Sequence, residues 1–135
     1  LDDDIYTIIQ NVKGKLFLLF DCCHSGSICD LPWSTQYIDD KLKKTNINTN
    51  QPENQNIYAI SGSTDIQVSM EKYNEFLQKK VGALTNAFLM LLHTRRYTIN
   101  IEDLFIEICR YLLYSGLEQT PILSCSTENI TYKFE

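Results

Sequence analysis

A run of five large apolar residues, Leu16–Phe20, leads directly into the segment 21–27, which reads Asp-Cys-Cys-His-Ser-Gly-Ser. A short, continuous apolar run is typical of a strand that is buried on both faces, as in a parallel sheet. Because polar and small residues follow at once, the strand should end near Asp21 and bring two thiols to its carboxyl end. In open α/β sheets that edge carries the binding and catalytic groups. The pattern therefore predicts a functional site immediately after this strand.

Three helices are expected from apolar residues at helical spacing. The first covers residues 5–12, and the second covers residues 84–92. The third begins after Asn100, which suits an N-cap, and ends at Gly116. Five residues should form the inner face of this third helix: Ile101, Leu104, Phe105, Ile108 and Leu112.

Further strands are expected over residues 56–61 and 122–126, where apolar residues again run together. Residues 28–56 have the composition of a long loop, and a short helix is expected around residues 71–78. Strands that alternate with helices indicate one α/β domain, with a mostly parallel sheet flanked by helices.

Composition restricts the partners and the compartment. The formal net charge is −5, and no apolar run approaches the roughly 18 residues of a membrane span, so neither nucleic acid nor a membrane is expected as a partner. Five cysteines, two of them adjacent, argue against a disulfide framework and favour a reducing, cytoplasmic location. The spacing of Cys22, Cys23, His24 and Cys29 does not match a structural zinc site. No organic cofactor is expected.

Four segments in order resemble metacaspases, the caspase-like cysteine peptidases of protists, fungi, plants and bacteria. They are Asp-Cys-Cys-His-Ser-Gly-Ser at 21–27 with Asp-Leu-Pro-Trp at 30–33, Ser-Gly-Ser-Thr-Asp-Ile-Gln-Val-Ser at 61–69, Gly-Ala-Leu-Thr-Asn-Ala-Phe at 82–88, and Gln-Thr-Pro-Ile-Leu-Ser at 119–124. The resemblance implies a caspase–haemoglobinase-like sandwich. The fold would be incomplete, because the N-terminal strands and the segment with the family's catalytic histidine are absent.

The same resemblance divides the single partial domain 1–135 into three parts. Residues 1–33 would end the large-subunit region and contain the nucleophile, 34–55 would be a loop of the intersubunit type, and 56–135 would form the small-subunit region. The short connection fits the type I arrangement of the family. We expect the chain to be the C-terminal portion of a longer protein whose N-terminal half is its partner.

Cys23 is the expected nucleophile, because it stands directly before His-Ser-Gly, where the family has its attacking sulfur. Its own backbone N–H would be one oxyanion donor. The alternative for Cys23 is a thiol packed at the end of a strand. His24 is not expected to be the base, since it follows Cys23 directly, and His93 is expected on the surface at the end of a helix.

Asp21 is the expected specificity residue. The resemblance places its carboxylate at the floor of the first substrate pocket, where it would attract Arg or Lys just before the scissile bond. The alternative is an aspartate that caps backbone N–H groups. Ser61 and Asp65 follow the second strand and are expected to line the same cleft, or else only to support the loop.

Asp2, Asp3 and Asp30 are candidate calcium ligands by the same resemblance, and Asp4 could replace one of the pair. Calcium prefers several hard oxygen ligands. The alternative is an N-terminal helix cap and a separate loop aspartate. Lys41, Lys43 and Lys44 lie in the expected loop, where a peptidase that prefers basic residues could cleave its own chain; the alternative is an ordinary solvated run of charges.

Three functions remain open at this point. The first is a calcium-stimulated cysteine endopeptidase that cleaves after Arg or Lys in proteins or peptides and processes its own loop. The second is a non-catalytic, caspase-like binding or regulatory module, because no base is identified in this chain. The third, a metal-binding or redox thiol protein, has the least support. We expect the 135-residue chain alone to have little or no peptidase activity.

Overall fold

A computed structural model of the chain describes residues 2–21, 29–62, 71–75, 77–116 and 120–135, with backbone alone for Asp2, Asp3 and Glu71. The helices in these ranges are α1 (Asp2–Gln10), α2 (Ala83–Thr94) and α3 (Ile101–Tyr114). The strands are β1 (Leu16–Phe20), β2 (Trp33–Ile38), β3 (Lys41–Asn46), β4 (Ile57–Ser61), β5 (Glu71–Asn74), β6 (Lys79–Gly82), β7 (Ile99–Asn100), β8 (Ile122–Cys125) and β9 (Lys133–Phe134).

Five of these strands form one sheet in the order β1-β4-β8-β2-β3. β1 runs parallel to β4, with Leu16 opposite Ile57 and Phe20 opposite Ser61. β8 is antiparallel to both β4 and β2, and β2 is antiparallel to β3. The α/β class is therefore confirmed, but the sheet is mixed, whereas the alternation of elements had indicated a mostly parallel one.

The two faces of this sheet are covered by different helices. Successive side chains of β4 point to opposite faces of the sheet, and both faces are covered. Tyr58 and Ile60 pack in the cluster formed with α2 and α3, whereas Ile57 and Ala59 pack with Ile9 of α1. β1 divides in the same way, with Phe17 and Leu19 on the α2/α3 side and Leu16, Leu18 and Phe20 on the α1 side. The run Leu16–Phe20 is thus a strand with apolar contacts on both faces, as predicted, but it is not the fully buried strand that was expected. Within the described sheet β1 is an edge strand, and all five of its residues are half-buried.

The third predicted helix is confirmed in detail as α3. The side chain of Asn100 accepts a hydrogen bond from the backbone N–H of Asp103, and all five predicted inner-face residues are fully buried. Gly116 ends the helix with a φ of +72°, a conformation that glycine adopts at little cost.

Residues 33–46 are a β-hairpin, β2–β3, and this corrects the loop predicted over 34–55. Asp39 and Asp40 form its two-residue turn with φ values of +50° and +61°, a backbone that tight hairpins favour. β3 was missed because it is an edge strand whose side chains, apart from Leu42, are exposed, so it has little apolar pattern.

The predicted helix around 71–78 was also wrong. β5 and β6 form a second hairpin there, which pairs Glu71 with Gly82 and Asn74 with Lys79. This short ribbon leads directly into α2, so it determines where that helix begins.

Among the described residues, no helix has the length and apolar character that crossing a membrane requires.

Candidate active site

The carboxyl ends of β1 and β4 lie side by side, because these two strands are parallel and in register to their last residues. Phe20 pairs with Ser61, and the backbone N–H of Gly62 donates to the carbonyl of Phe20 over 2.9 Å. Asp21 follows β1 at this edge, and Ser61, which is 1% exposed, ends β4 beside it. The sheet therefore brings two of the predicted substrate-binding positions to one edge.

The carboxylate of Asp21 lies at the N-terminus of α2. Its Oδ2 accepts a hydrogen bond of 2.8 Å from the backbone N–H of Thr85, the third residue of that helix. This N–H is one of the four that a helix leaves without an intrahelical acceptor. Gly82 stands at the N-cap and has no side chain to supply, so Asp21 performs the capping from a distant strand. The capping interpretation of Asp21 is therefore seen directly.

The second oxygen of the same carboxylate has a different environment. Oδ1 of Asp21 is buried and has no hydrogen-bond partner among the described residues. Removing an anionic oxygen from water without a partner is costly, and the partial positive charge of the helix N-terminus offsets only part of that cost. Among the described residues, one oxygen of the Asp21 carboxylate thus has a hydrogen-bond donor and the other has none.

Gly82 contacts this carboxylate so closely that a Cβ there would overlap the Asp21 side chain. The backbone of Gly82 is ordinary, with φ −57° and ψ 151°, and any L-residue can adopt it. Glycine at this position is therefore explained by space and not by backbone freedom. The sequence identifies residues 82–88 only as a family motif, and nothing in the pattern indicates contact with a residue 64 positions away (Thr85 to Asp21).

A buried amide pair adjoins this turn of α2 and was not predicted. Asn74 at the end of β5 is 0% exposed and Asn86 is 1% exposed, and Asn74 Nδ2 donates to Asn86 Oδ1 over 3.2 Å. Asn74 Oδ1 in turn accepts from the backbone N–H of Leu77. Buried amides require such partners, and this pair joins the β5–β6 hairpin to the first turns of α2.

Four residues of the predicted site lie outside the described residues: Cys22, Cys23, His24 and Asp65. The assignment of Cys23 as nucleophile therefore stays a prediction. In the sequence it stands two residues after Asp21.

Two of the three described thiols, those of Cys109 and Cys125, are unlike a nucleophile. Burial raises the pKa of both Cys109 and Cys125 to about 12, so these side chains stay protonated at neutral pH. Cys109 belongs to α3 and Cys125 to β8, and both pack in the core cluster beneath α2 and α3. They serve as small apolar residues.

His93 lies in the last turn of α2, far from Asp21. Eight residues of helix separate it from Thr85, which is about 12 Å along the axis. The side chain is exposed, and its Nδ1 lies 3.1 Å from the hydroxyl of Tyr97. The surface position predicted for His93 agrees with this placement.

The predicted calcium ligands are not seen as a group. Asp2 and Asp3 begin α1, but their side chains lie outside the description. Asp30 precedes β2 with a φ of +49°, and the side-chain amides of Asn48 and Asn50 donate to its carbonyl oxygen. Within the described ranges, no group of three or more His, Cys, Asp or Glu side chains could hold a metal ion. The calcium assignment stays a prediction.

The three lysines proposed for self-cleavage lie on β3 and not in a loop, which corrects the predicted setting. Lys41 pairs with Ile38, Lys43 with Gln36 and Lys44 with Thr35 in the antiparallel ladder. Lys44 Nζ also donates to the carbonyl of Glu128 over 3.1 Å. Their side chains are exposed, but their backbone is engaged in a strand.

Comparison with known proteins identifies the relatives of this chain. A family model described as "Caspase domain" matches residues 1–132. Metacaspase-5 of Trypanosoma cruzi (strain CL Brener) is 28% identical over 98% of this chain and 33% of its own length. Metacaspase-5 of Trypanosoma brucei brucei is 30% identical over 98% of the chain and 29% of its length, and metacaspase-3 of T. cruzi is 30% identical over 99% and 41%.

The chain thus spans about a third of the length of these curated relatives. The resemblance seen in the four sequence segments is confirmed by a match over nearly all of the 135 residues, and the helix-covered sheet with Asp21 at its edge is consistent with it. The chain belongs to the caspase-domain family, and its relatives are metacaspases.

Proposed function

We propose that this chain is part of a cysteine endopeptidase that cleaves proteins or peptides after Arg or Lys through the thiolate of Cys23. One observation carries the substrate preference: Asp21, two residues before Cys23, has a buried carboxylate oxygen without a partner among the described residues. Family membership supports the peptidase chemistry, since caspase-domain relatives over this same region are metacaspases.

The preference for a basic side chain follows from the unmet acceptor. A guanidinium or ammonium group that reaches Oδ1 would form a charge-assisted hydrogen bond in a site with little water. A neutral side chain would leave the oxygen buried and unpaired, and an acidic one would add repulsion. The difference between basic and neutral substrates should therefore be large, in the manner of sites that hold a buried unpaired polar group.

The chemistry at Cys23 is acyl transfer. The sulfur attacks the carbonyl carbon of the scissile bond, the carbonyl oxygen takes the negative charge, and backbone N–H groups stabilise it. An imidazole that has taken the thiol proton must then deliver it to the leaving amine as the C–N bond breaks, and water hydrolyses the resulting thioester to free the sulfur. Because His93 lies far along α2 and His24 directly follows Cys23 in the sequence, we assign this task to a histidine in the remaining part of the protein, and not to this chain.

Calcium stimulation through Asp2, Asp3 and Asp30 and self-cleavage after Lys41, Lys43 or Lys44 complete the proposal. Calcium would bind the carboxylates with hard oxygen contacts and hold α1 against the segment before β2. Self-cleavage would require β3 to leave its ladder.

A non-catalytic caspase-like module is the second candidate, and a specific observation favours it. No residue of the described chain is placed to act as a base beside Asp21, and one relative, 26% identical over 93% of the chain, is named "Inactive metacaspase-4" of Trypanosoma brucei brucei. In this case the cleft would bind a basic segment of a partner without cutting it.

Hydrolysis of short fluorogenic peptides that end in Arg, Lys or a neutral residue separates the two candidates. The test uses the complete gene product that contains this chain, with and without calcium, beside Cys23→Ala and the matched control Cys22→Ala. The peptidase predicts turnover of Arg and Lys peptides that is lost in Cys23→Ala and kept in Cys22→Ala. Binding of basic peptides without turnover would establish the second candidate.

A further inference from the structure

The first turn of α2 contacts the carboxylate of Asp21, the proposed specificity residue, on two sides. No sequence motif assigns this contact to the turn. The backbone N–H of Thr85 donates a hydrogen bond to Oδ2 of Asp21. Gly82 has no side chain, so the carboxylate can lie against the helix backbone there. These two residues lie three apart, so both face the same side of the helix start. The carboxylate fills the space between them.

The position of α2 relative to β1 is fixed by a second contact further along both elements. Phe17 of β1 stacks on Phe88 of α2 with ring centroids 5.4 Å apart and an interplanar angle of 11°. The aromatic stack and the Asp21–Thr85 hydrogen bond therefore join the same strand to the same helix at two points. These two contacts restrict rotation of α2 relative to β1, and so restrict the space that a shift of the helix could give Asp21.

We propose that Gly82 and Thr85 are positioning residues that present Asp21 to the substrate with one oxygen engaged and the other available. This inference rests on the proposed function, because it concerns how the same pocket selects a basic side chain. Thr85 orients the carboxylate by binding Oδ2, and Gly82 allows the carboxylate to lie against the helix backbone. Oδ1 is then the oxygen that meets the incoming cation.

The geometry makes Gly82→Ala an informative change. The backbone at Gly82 suits alanine, so the added methyl group acts through its overlap with the Asp21 carboxylate alone. Gly14→Ala is the matched control: a Cβ there meets nothing within 4 Å, and its cost comes from a φ of +85°. Both changes should lower stability, for different reasons.

A double-mutant cycle on the folding of the complete gene product tests the steric step without reference to activity. Gly82→Ala alone should lower the folding equilibrium constant at least about tenfold. In an Asp21→Ala background the same change should cost less than about twofold, whereas in an Asp21→Asn background, which keeps the bulk, it should cost about tenfold again. Gly14→Ala should cost the same in all three backgrounds. Equal costs of Gly82→Ala in all backgrounds would overturn the proposal.

Hydrogen exchange at the Thr85 amide tests the other contact, and it is measured on the unmutated chain and on Asp21→Ala. If Asp21→Ala does not fold, Asp21→Leu, which also has no acceptor oxygen, takes its place. An amide at this helix position normally exchanges fast, because it has no intrahelical acceptor. Protection of Thr85 that falls at least about fivefold when Asp21 is changed, while the Asp103 amide is unaffected, is the expected result. Equal protection of the Thr85 amide in the unmutated chain and in the variants would contradict the proposal.

Kinetics of the complete gene product then separate this inference from the proposed function. Gly82→Ala should raise KM for Arg and Lys peptides at least about tenfold and change kcat less than about threefold, since the attacking sulfur is untouched. If basic peptides are cleaved in an Asp21-dependent way but Gly82→Ala leaves KM unchanged, the positioning role fails and the peptidase stands. If the cycle shows coupling but no peptide is cleaved, the peptidase fails and the positioning of Asp21 stands.

Discussion

Helices α2 and α3 both begin directly after a short strand, yet their N-termini are capped in opposite ways. α3 is capped by its own neighbour Asn100, which bonds the N–H of Asp103, and acidic residues follow in its first turn. α2 begins at Gly82, has no acidic residue in its first turn, and receives its cap from Asp21 at the end of β1. A local cap stabilises a helix wherever that helix lies, whereas a cap from another element makes the helix and that element depend on each other.

The difference indicates what each helix is for. α3 is an element of the core, with its inner face fully buried and its ends closed by nearby residues. α2 also packs in the core, but its N-terminus is committed to holding an acid at the edge of the sheet. The predictions that follow test this division, beginning with the change expected to have the largest effect.

Removing each cap in turn should affect activity very unequally. In the complete gene product, Asp21→Ala should lower kcat/KM for Arg and Lys peptides about 100-fold or more, because a buried partner for the cationic side chain is lost. Asn100→Ala should change kcat/KM less than about twofold, since the described partners of Asn100 are Asp103 in α3 and Lys133 in β9. Steady-state kinetics on both variants make the measurement. A loss of kcat/KM in Asn100→Ala comparable to that in Asp21→Ala would contradict the proposed difference between α2 and α3.

Alkaline pH should weaken the core beneath α3 through its thiols. The pKa of Cys109 and that of Cys125 are raised by burial to about 12, from an ordinary value near 9. Below pH 9 both folded and unfolded chains keep these protons; between about pH 9 and 12 the unfolded chain loses them and the folded chain does not. The free energy of unfolding should therefore fall with rising pH, by up to about 1.4 kcal/mol per pH unit for each thiol.

Urea unfolding between pH 8 and 11 measures this decline. Tyrosine and lysine side chains also titrate in that range, so the control is the variant with Cys109→Ala and Cys125→Ala. It should be less stable at pH 8 but should lose stability more gently as the pH rises. A slope identical to that of the unmutated chain would show that the thiols are not the cause.

The local cap of α3 should have an ordinary structural value. Asn100→Ala removes the bond to the Asp103 N–H and the contact between Asn100 Nδ2 and Asp103 Oδ2, so it should lower the free energy of unfolding by about 1 kcal/mol. Chemical denaturation of the 135-residue chain measures it. Asn100→Ser, which keeps a capping oxygen, should recover most of the loss, and a Ser variant as unstable as the Ala variant would argue against capping.

The smallest effect is expected where neither helix is involved. Asp39 and Asp40 form the β2–β3 turn at positive φ, and Asp39→Asn combined with Asp40→Gly should stabilise the chain by about 0.5 kcal/mol. The gain is small because the hydrogen bond from the Tyr37 hydroxyl to Asp40 is lost at the same time. Thermal unfolding measures the change, and the protection of the Thr85 amide should be unaffected. Destabilisation would mean that the aspartates contribute more than their backbone conformation indicates.

The strongly patterned parts of the fold were predictable from sequence. The inner face of α3 and the existence of a strand at Leu16–Phe20 follow from the apolar pattern, and the cap at Asn100 follows from the residue type. The full burial expected of that strand was wrong, because β1 lies at the edge of the described sheet. The two hairpins were not predictable in this way. β3 and most of the β5–β6 ribbon are exposed, so burial leaves no pattern in their residues, and the loop and helix expected there were wrong.

The candidate site likewise has one part that the sequence predicts and another that it does not. That Asp21 stands at the carboxyl end of a strand follows from the sequence alone. Its hydrogen bond to Thr85 and its contact with Gly82 depend on how α2 packs on β1, which no local pattern encodes. The resemblance to metacaspases drew attention to residues 82–88 but gave no physical reason for the glycine.

The β2–β3 hairpin has a consequence for the timing of any maturation cleavage. In the sequence between β1 and β4, the basic residues are Lys41, Lys43 and Lys44, and all three belong to β3. A peptidase binds its substrate as an extended segment with unsatisfied backbone groups, so β3 must first detach from β2. The rate of such a cut is then governed by the free energy of local opening of one edge strand. An intact hairpin would therefore delay maturation until binding or local unfolding exposes the lysines.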